Sequence, residues 1–224
     1  MSWFLYIDTA VQLGSICLAK DDKTVGVKMS TTQNDHASWL QPAIKTLLQE
    51  HGVSLGELAA IGVSAGPGSY TGLRVSMATA KGLCYALQRP LLAISTLQIM
   101  AAGAIDLQAD FFCPMIDARR MEVFTAVYDK DLNELVKPHS LILTQADFSK
   151  FITQGSIIFF GNGSEKFKPL LSHPNAFFQQ VDVTAEQMIG LGYKKFIDNE
   201  FADLAYSEPY YGKEFYSPAL NPTK

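Results

Sequence analysis

A glycine-rich segment has the residue types and spacing of a possible binding site. Its seven residues connect a predicted strand to a predicted helix and read Gly66, Pro67, Gly68, Ser69, Tyr70, Thr71 and Gly72. Backbone N–H groups at such a helix start can hold a phosphate or another anion. The spacing matches neither G-x-x-x-x-G-K-[ST] nor G-x-G-x-x-G, the two common phosphate-binding patterns. A tight turn, in which the glycines allow close packing, is therefore the main alternative to a nucleotide site.

The segment overlaps a G-x-S-x-G pattern with Ser64 at its centre. In hydrolases this pattern places a nucleophilic serine at a sharp turn between a strand and a helix. Here the predicted strand continues through Ser64 into Gly66, and the candidate bases, His139 and His173, are isolated among turn residues. The pattern does not favour a serine hydrolase.

Two aspartates end equivalent strands in the two halves of the chain, in Tyr6-Ile7-Asp8 and Met115-Ile116-Asp117. Turns of the type Asp-x-Gly-Thr/Ser bind phosphate in actin-like ATPases and sugar kinases. The turn after Asp8 keeps Thr9 but lacks the glycine at its usual place, and the turn after Asp117 has no Gly, Ser or Thr. Asp8, Thr9 and Asp117 are therefore predicted to belong to degenerate phosphate turns, and we expect no cofactor.

Metal and disulfide sites are not predicted. No histidine has a second ligand at helical spacing, and Cys17, Cys84 and Cys113 are scattered. The net charge of −4 argues against a lone nucleic-acid binder, which usually has a basic excess. No signal peptide is recognised, and the apolar stretch 91–105 is too short to cross a membrane, so we expect a soluble, cytoplasmic protein.

Hydrophobic periodicity predicts the order β-β-β-α-β-α twice. This order indicates a duplicated α/β architecture, with a mixed sheet flanked by helices in each lobe, and it occurs in the actin/hexokinase/Hsp70 group of folds. We expect an N-terminal lobe over 1–105 and a C-terminal lobe over 106–205, whose last helix packs back on the first lobe. Residues 206–224 are expected to form an extended tail rich in aromatic residues and proline.

The second helix, predicted over Leu73–Gln88, is apolar around most of its circumference. Such a helix is expected to be covered on more than one side, by the sheet and by a partner. Complete coverage by internal packing is the alternative. The predicted partner interface combines this helix with the first one, over Ala37–His51, and consists of Trp39, Leu40, Ile44, Leu47, Arg74, Val75, Ala78, Thr79, Gly82 and Ala86.

The block from Ser64 to Leu83 resembles the signature of the bacterial TsaB (YeaZ) family. Ile7-Asp8-Thr9, the segment 116–123 and Phe160-Gly161-Asn162-Gly163 agree with the family in order and spacing. The resemblance covers most of the chain and implies a two-lobed actin-like (ASKHA) fold. It also implies a role in adding threonylcarbamoyl to the adenosine 3′ of the anticodon in tRNAs that read ANN codons.

Members of this family act as the non-catalytic partner of the related metal-dependent transferase TsaD, joined through a helical bundle. The resemblance thus implies a TsaD-type partner and a TsaE-type ATPase that joins the complex. It also implies that the chain contacts tRNA only as part of that complex. TsaD carries an H-x-x-x-H metal pair, and alignment puts Thr96 and Met100 at its two places. Neither side chain can replace imidazole there. The resemblance therefore implies a pseudo-enzyme subunit.

Two further expectations concern the chain by itself. A homodimer would cover the partner surface in the absence of TsaD. The alternative function is an actin-like ATPase or small-molecule kinase that acts on its own, using Asp8, Thr9 and the glycine-rich segment.

Overall fold

The computed structural model describes residues 1–11, 13–31 and 35–212. Its first sheet has the strand order β3-β2-β1-β4-β5. β1 pairs antiparallel with β2, which pairs antiparallel with β3, whereas β1, β4 and β5 run parallel. The strands are β1 Trp3–Asp8, β2 Ser15–Lys20, β3 Lys23–Met29, β4 Leu58–Ser64 and β5 Leu91–Ile94.

The second sheet repeats the first, with the order β10-β9-β6-β7-β8 and the same parallel and antiparallel pairings. Asp8 pairs with Ser15 in the first hairpin, and Asp117 pairs with Val123 in the second. The predicted duplication and its mixed sheets are therefore confirmed. The strands are β6 Phe111–Asp117, β7 Glu122–Tyr128, β8 Glu134–Ile142, β9 Ile157–Phe160 and β10 Ala176–Phe178.

The helices are α1 His36–Glu50, α2 Tyr70–Leu87, α3 Thr96–Gly103, α4 Ser149–Gln154, α5 Ser164–Phe167 and α6 Met188–Ile197. α2 begins three residues earlier than predicted because Ser69 caps it, with its Oγ accepting from the Gly72 N–H at 3.2 Å. α6 is shorter than predicted, since Ala185–Gln187 forms a 3₁₀ turn that Thr184 caps. Pro42 lies inside α1 on its exposed side and does not end the helix.

Each sheet is covered by helices on both faces. In the first half, α1 and α2 pack on the face that carries Leu5 and Ile7, and α6 packs on the face that carries Phe4 and Tyr6. In the second half, α4 and α5 cover one face and α3 covers the other. α3 follows the first sheet in sequence and packs on the second, while α6 follows the second and packs on the first. This exchange of helices links the two halves.

An extended segment follows α6. Ala202 forms a bridge with Leu91 of β5, and the chain then continues to Gly212. The remainder of the predicted tail, from Lys213 on, lies outside the described residues. In the described part of the chain, no helix has the length and apolar character that a membrane crossing requires.

Candidate functional site

The first candidate turn is built around a buried carboxyl. Asp8 ends β1 with 1% of its surface exposed, and its Oδ1 accepts from the Ala10 N–H at 2.9 Å. Burial raises the pKa of Asp8 above its usual range, although the Ala10 N–H, the Ser64 hydroxyl and the charge of nearby His36 each lower it. The carboxyl is thus enclosed by the protein and does not face an open cleft.

The glycine-rich segment packs directly on this turn. The Thr9 hydroxyl donates to the Gly72 carbonyl at 2.7 Å, and the Ser69 N–H donates to the Ala10 carbonyl at 2.7 Å. A Cβ on Gly72 would lie 1.9 Å from the backbone carbonyl oxygen of Thr9, and a Cβ on Gly68 would lie 2.3 Å from the carbonyl oxygen of Ala10. These two glycines permit a backbone-to-backbone contact, as the tight-turn interpretation expected.

The rest of the segment is also engaged with the protein. Gly66 has φ +100°, and a Cβ there would lie 2.1 Å from the carbonyl oxygen of Tyr210. Pro67 is buried, while Tyr70 and Thr71 are exposed at the start of α2. The glycine-rich segment therefore packs between β4, the first turn and the C-terminal segment.

The second candidate turn differs from the first in charge and exposure. Asp117 ends β6, accepts from the Arg119 N–H at 2.6 Å and pairs with the Lys166 ammonium. Lys166 is the main cause that holds the pKa of Asp117 below its usual range. Arg119 and Arg120 follow with φ +70° and +51°, and the turn they form contains two cationic side chains and no Ser or Thr.

Thr96 and Met100, the two positions aligned with the histidine pair of TsaD, make structural contacts in this chain. Thr96 Oγ1 accepts from the Gly66 N–H at 3.1 Å, and the Thr96 N–H donates to the Gly66 carbonyl at 2.9 Å. The Met100 methyl packs against Gly161, where a Cβ would approach it to 2.5 Å. Within the described ranges, no group of three or more His, Cys, Asp or Glu side chains is arranged to hold a metal ion.

The structure does not assemble a serine hydrolase site. Ser64 is buried beside Asp8 in the first half. His139 and His173 belong to the second half, where their Nδ1 atoms pair with the Lys137 carbonyl and the Asn175 N–H. The three side chains of the hydrolase hypothesis are therefore not brought together.

The predicted interface on α1 needs a correction. Leu40, Ile44 and Leu47 are 0%, 3% and 1% exposed because they face the first sheet and belong to its core. Trp39 is half-buried and packs against the same core. The apolar stripe of α1 is thus covered by the chain itself, and these residues do not form a free surface.

The predicted residues of α2 divide differently. Arg74, Ala78, Gly82 and Ala86 are exposed, and Val75 and Thr79 are half-buried at the edge of this surface. We call these six residues the outer stripe. The opposite face of α2 supplies the residues that pack on the sheet, namely Leu73, Met77, Ala80 and Cys84. Internal packing therefore covers one side of α2 and leaves the small-residue side accessible.

The outer stripe continues on both sides into surfaces that the sequence analysis did not identify. Gln41 of α1 donates to Thr79 at 3.3 Å and, with Leu83 and the edge of the otherwise buried Ile44, lines a groove of about 650 Å³ along α1. Tyr85 is 72% exposed one turn after Lys81. The helical spacing of residues 78, 82 and 85 was the available sequence signal for placing Tyr85 on this surface.

Relatives cover most of the chain. A family model described as TsaD, tRNA N6-adenosine threonylcarbamoyltransferase, matches residues 15–209. The tRNA threonylcarbamoyladenosine biosynthesis protein TsaB of Escherichia coli is 28% identical, over 92% of this chain and 93% of its own length. The protein of the same name from Bacillus subtilis is 29% identical, over 75% of this chain and 74% of its own length.

Solved structures agree with these relatives. YeaZ from Pseudomonas aeruginosa matches with a TM-score of 0.83 at 27% identity, over 94% of this chain and 100% of that one. The activator of 2-hydroxyisocaproyl-CoA dehydratase from Clostridium difficile, solved with bound ADPNP, matches with a TM-score of 0.51 at 8% identity, over 88% and 96% of the two chains. The second likeness shows the fold alone, which is the duplicated actin-like (ASKHA) fold.

Proposed function

Because the chain belongs to the TsaB (YeaZ) family, within the wider TsaD family, we propose that it is a non-catalytic scaffold and activator subunit. The reaction of the complex is transfer of a threonylcarbamoyl group to the adenosine 3′ of the anticodon in tRNAs that read ANN codons. In this proposal a TsaD-type subunit carries the reaction centre, and the present chain binds that subunit through a helical bundle.

The outer stripe of α2 is the observation that carries this proposal. Ala78, Gly82 and Ala86 recur at helical spacing on an exposed surface, and among the described residues nothing lies within 4 Å of a Cβ placed on Gly82. Small residues let a second helix approach closely, and an exposed apolar patch can mark a protein–protein interaction site. The stripe therefore suits a helix of another chain.

The groups of the two turns and of the aligned metal positions are engaged in the fold, which supports a role without catalysis. Thr9 donates to Gly72 and Thr96 accepts from Gly66, so both hydroxyls are engaged in the fold. Asp8 is buried, and Asp117 pairs with Lys166. We propose that the chain needs no cofactor or metal, contacts a TsaE-type ATPase and tRNA within the complex, and forms a homodimer through the same helix when alone.

The proposal is tested by replacing Gly82 with arginine. The purified wild-type chain is expected to form a complex with a TsaD-type subunit in size-exclusion chromatography, and Gly82→Arg is expected to abolish it because the long side chain fills the outer stripe. Gly190→Arg is the matched control, since Gly190 is an exposed glycine of α6, on the other face of the sheet, with equal room for a side chain. Complex formation by Gly82→Arg, or none by the wild type, would contradict the proposal.

An ATPase or kinase acting alone is the second candidate, since a neighbour of the same fold was solved with bound ADPNP. Calorimetry of the isolated chain with ATP separates the two candidates. We expect no binding heat, because the turn after Asp117 offers no hydroxyl and Thr9 is engaged. Saturable heat that Thr9→Val removes would favour the enzyme.

A further inference from the structure

An extended segment joins the two halves of the molecule beside α2. We call Ala202–Gly212 the strap. It begins at β5, where the Ala202 N–H donates to the Leu91 carbonyl at 2.9 Å. It later reaches the end of β4, where the Tyr210 N–H donates to the Ala65 carbonyl at 2.8 Å. The strap therefore crosses the first half from one parallel strand to the next, passing along α2.

The far end of the strap contacts the second half. The Tyr210 hydroxyl donates to the Pro138 carbonyl at 3.3 Å. Gly212, at φ +73°, lies against the Phe124 ring, which a Cβ there would approach to 2.5 Å. Tyr211 packs on Tyr70 at the start of α2, with ring centroids 4.9 Å apart. The strap thus has fixed contacts at both ends, in different halves.

Lys81 of α2 holds the middle of the strap. Its Nζ donates to the Ala205 carbonyl at 3.2 Å and to the Ser207 carbonyl at 3.0 Å. Over residues 1–11, 13–31 and 35–212, Lys81 makes no salt bridge. Hydrogen bonds from an ammonium group are stronger than those between neutral groups. The middle of the strap is a turn, in which Asp203 Oδ1 accepts from the Ala205 and Tyr206 N–H groups at 2.8 and 2.9 Å. Lys81 is the charged group of α2 that holds this turn against the helix.

The two carbonyls bound by Lys81 flank Tyr206, which is 84% exposed. Lys81 and Tyr85 are one turn apart and share a side of α2, so Tyr85, 72% exposed, stands on the same edge of the helix as the strap. Tyrosine is enriched among residues that dominate binding at interfaces. Tyr85 thus borders the outer stripe on the helix, while Tyr206 is exposed on the part of the strap that Lys81 holds against α2.

We propose that Lys81 is a positioning residue that fixes the strap beside α2 and thereby completes the partner surface with Tyr206. The inference rests on the proposed function, and the partner is the same TsaD-type subunit. When the strap is released from α2, the outer stripe remains but the strap with Tyr206 no longer contributes to the partner surface. The apparent affinity of the chain falls in proportion to the fraction of molecules with the strap in place.

The attachment of the strap is tested first in the free chain. Lys81→Met keeps the aliphatic stem and removes both charge-assisted hydrogen bonds, so hydrogen exchange over 202–211 is expected to accelerate about tenfold. Lys81→Arg, which keeps a charged donor, is expected to restore slow exchange. Lys168→Met is the matched control, because Lys168 is exposed and lies in the second half. Unchanged exchange in Lys81→Met would overturn the inference.

The contribution to the interface is tested with the complex. Lys81→Met is expected to weaken binding of the TsaD-type subunit about tenfold, with recovery in Lys81→Arg. Tyr206→Ala is expected to weaken binding while leaving exchange of the strap unchanged, an effect that a purely structural role would not give. Faster exchange with unchanged affinity would overturn the inference. If the wild-type chain fails to bind, the proposed function fails, whereas the exchange experiment still decides whether Lys81 holds the strap.

Discussion

The turns after Asp8 and Asp117 occupy equivalent places in a duplicated fold and have opposite environments. Each aspartate ends the first strand of its sheet, and each accepts from the N–H two residues later, of Ala10 and Arg119 respectively. Asp8 is 1% exposed and has a raised pKa, while Asp117 is exposed, paired with Lys166 and has a lowered pKa. The aspartate and its hydrogen bond to the N–H two residues later occur in both turns, whereas the surroundings differ and only the second turn has the positive φ values of Arg119 and Arg120 among the described residues.

This difference in environment follows from what packs on each turn. In the first half the turn is sealed by the glycine-rich segment, so its polar groups serve packing. In the second half the turn stays at the surface and ends in Arg119 and Arg120. The two turns therefore do not present a matched pair of accessible hydroxyl donors: the Thr9 hydroxyl donates to Gly72, and the turn after Asp117 has no Ser or Thr.

The largest expected effects come from adding a methyl group to the glycine that packs on each turn, Gly72 for the first and Gly163 for the second. Gly72→Ala places a Cβ 1.9 Å from the Thr9 oxygen, so backbone must move, and we expect a loss of about 3 kcal/mol or more in the free energy of unfolding. A Cβ in Gly163→Ala meets the Val123 side chain at 2.9 Å and the backbone of Ile116 and Asp117 at 3.0 and 3.1 Å, a milder overlap that is expected to cost about 1–3 kcal/mol.

Urea unfolding measures both variants. Gly82→Ala is the control, since its Cβ meets no described atom within 4 Å and alanine favours a helix by about 0.5–1 kcal/mol. A Gly72→Ala chain as stable as Gly163→Ala would show that the first turn is not sealed by the glycine-rich segment.

The sequence predicted this duplicated scaffold well because its signals are local. Short, mostly apolar runs bounded by turn residues predict β1, β2, β5, β6 and β9 with their observed bounds, because these strands are buried on both faces. The start of α2 was missed because capping by Ser69 brings Tyr70–Gly72 into the helix. Capping is a local signal too, but the glycine-rich composition obscured it.

The site was harder to predict because it depends on what covers each surface. Periodicity finds the apolar stripe of α1 and cannot tell that the sheet covers Leu40, Ile44 and Leu47. The same reasoning found the outer stripe of α2, which is exposed. The strap depends on contacts between residues more than a hundred positions apart, such as Lys81 with Ser207. No local pattern encodes such contacts.

A smaller effect concerns pH. The folded-state pKa of Asp8 is raised, so its stabilising contribution is present below the unfolded pKa and is lost as pH rises through the folded value. The pKa of Asp117 is lowered, so its contribution is present above the unfolded pKa and is lost as pH falls. The two aspartates therefore predict pH dependences of opposite sign.

Chemical unfolding reads both signs when the scan extends to either side of the ordinary aspartate pKa of about 3.9, because the contribution of Asp8 is lost above that pH and that of Asp117 is lost below it. The stability of Asp8→Asn relative to the wild type is expected to increase with pH, and that of Asp117→Asn to decrease. If the stability of both variants relative to the wild type changed with pH by the same amount and sign, the two aspartates would not differ in environment as described.

The smallest expected effect is that of the ion pair in the second turn. Lys166 and Asp117 retain 20% and 40% of their side-chain surface, so water screens the pair, and Lys166→Met is expected to cost about 0.2–1 kcal/mol. Salt should reduce the difference between wild type and variant, because mobile ions screen exposed charges. In an Asp117→Asn background the same substitution should have almost no effect, since the partner charge is gone. A cost that persists in that background would mean that Lys166 acts through packing, and the charged character assigned to the second turn would then rest on Arg119 and Arg120 alone.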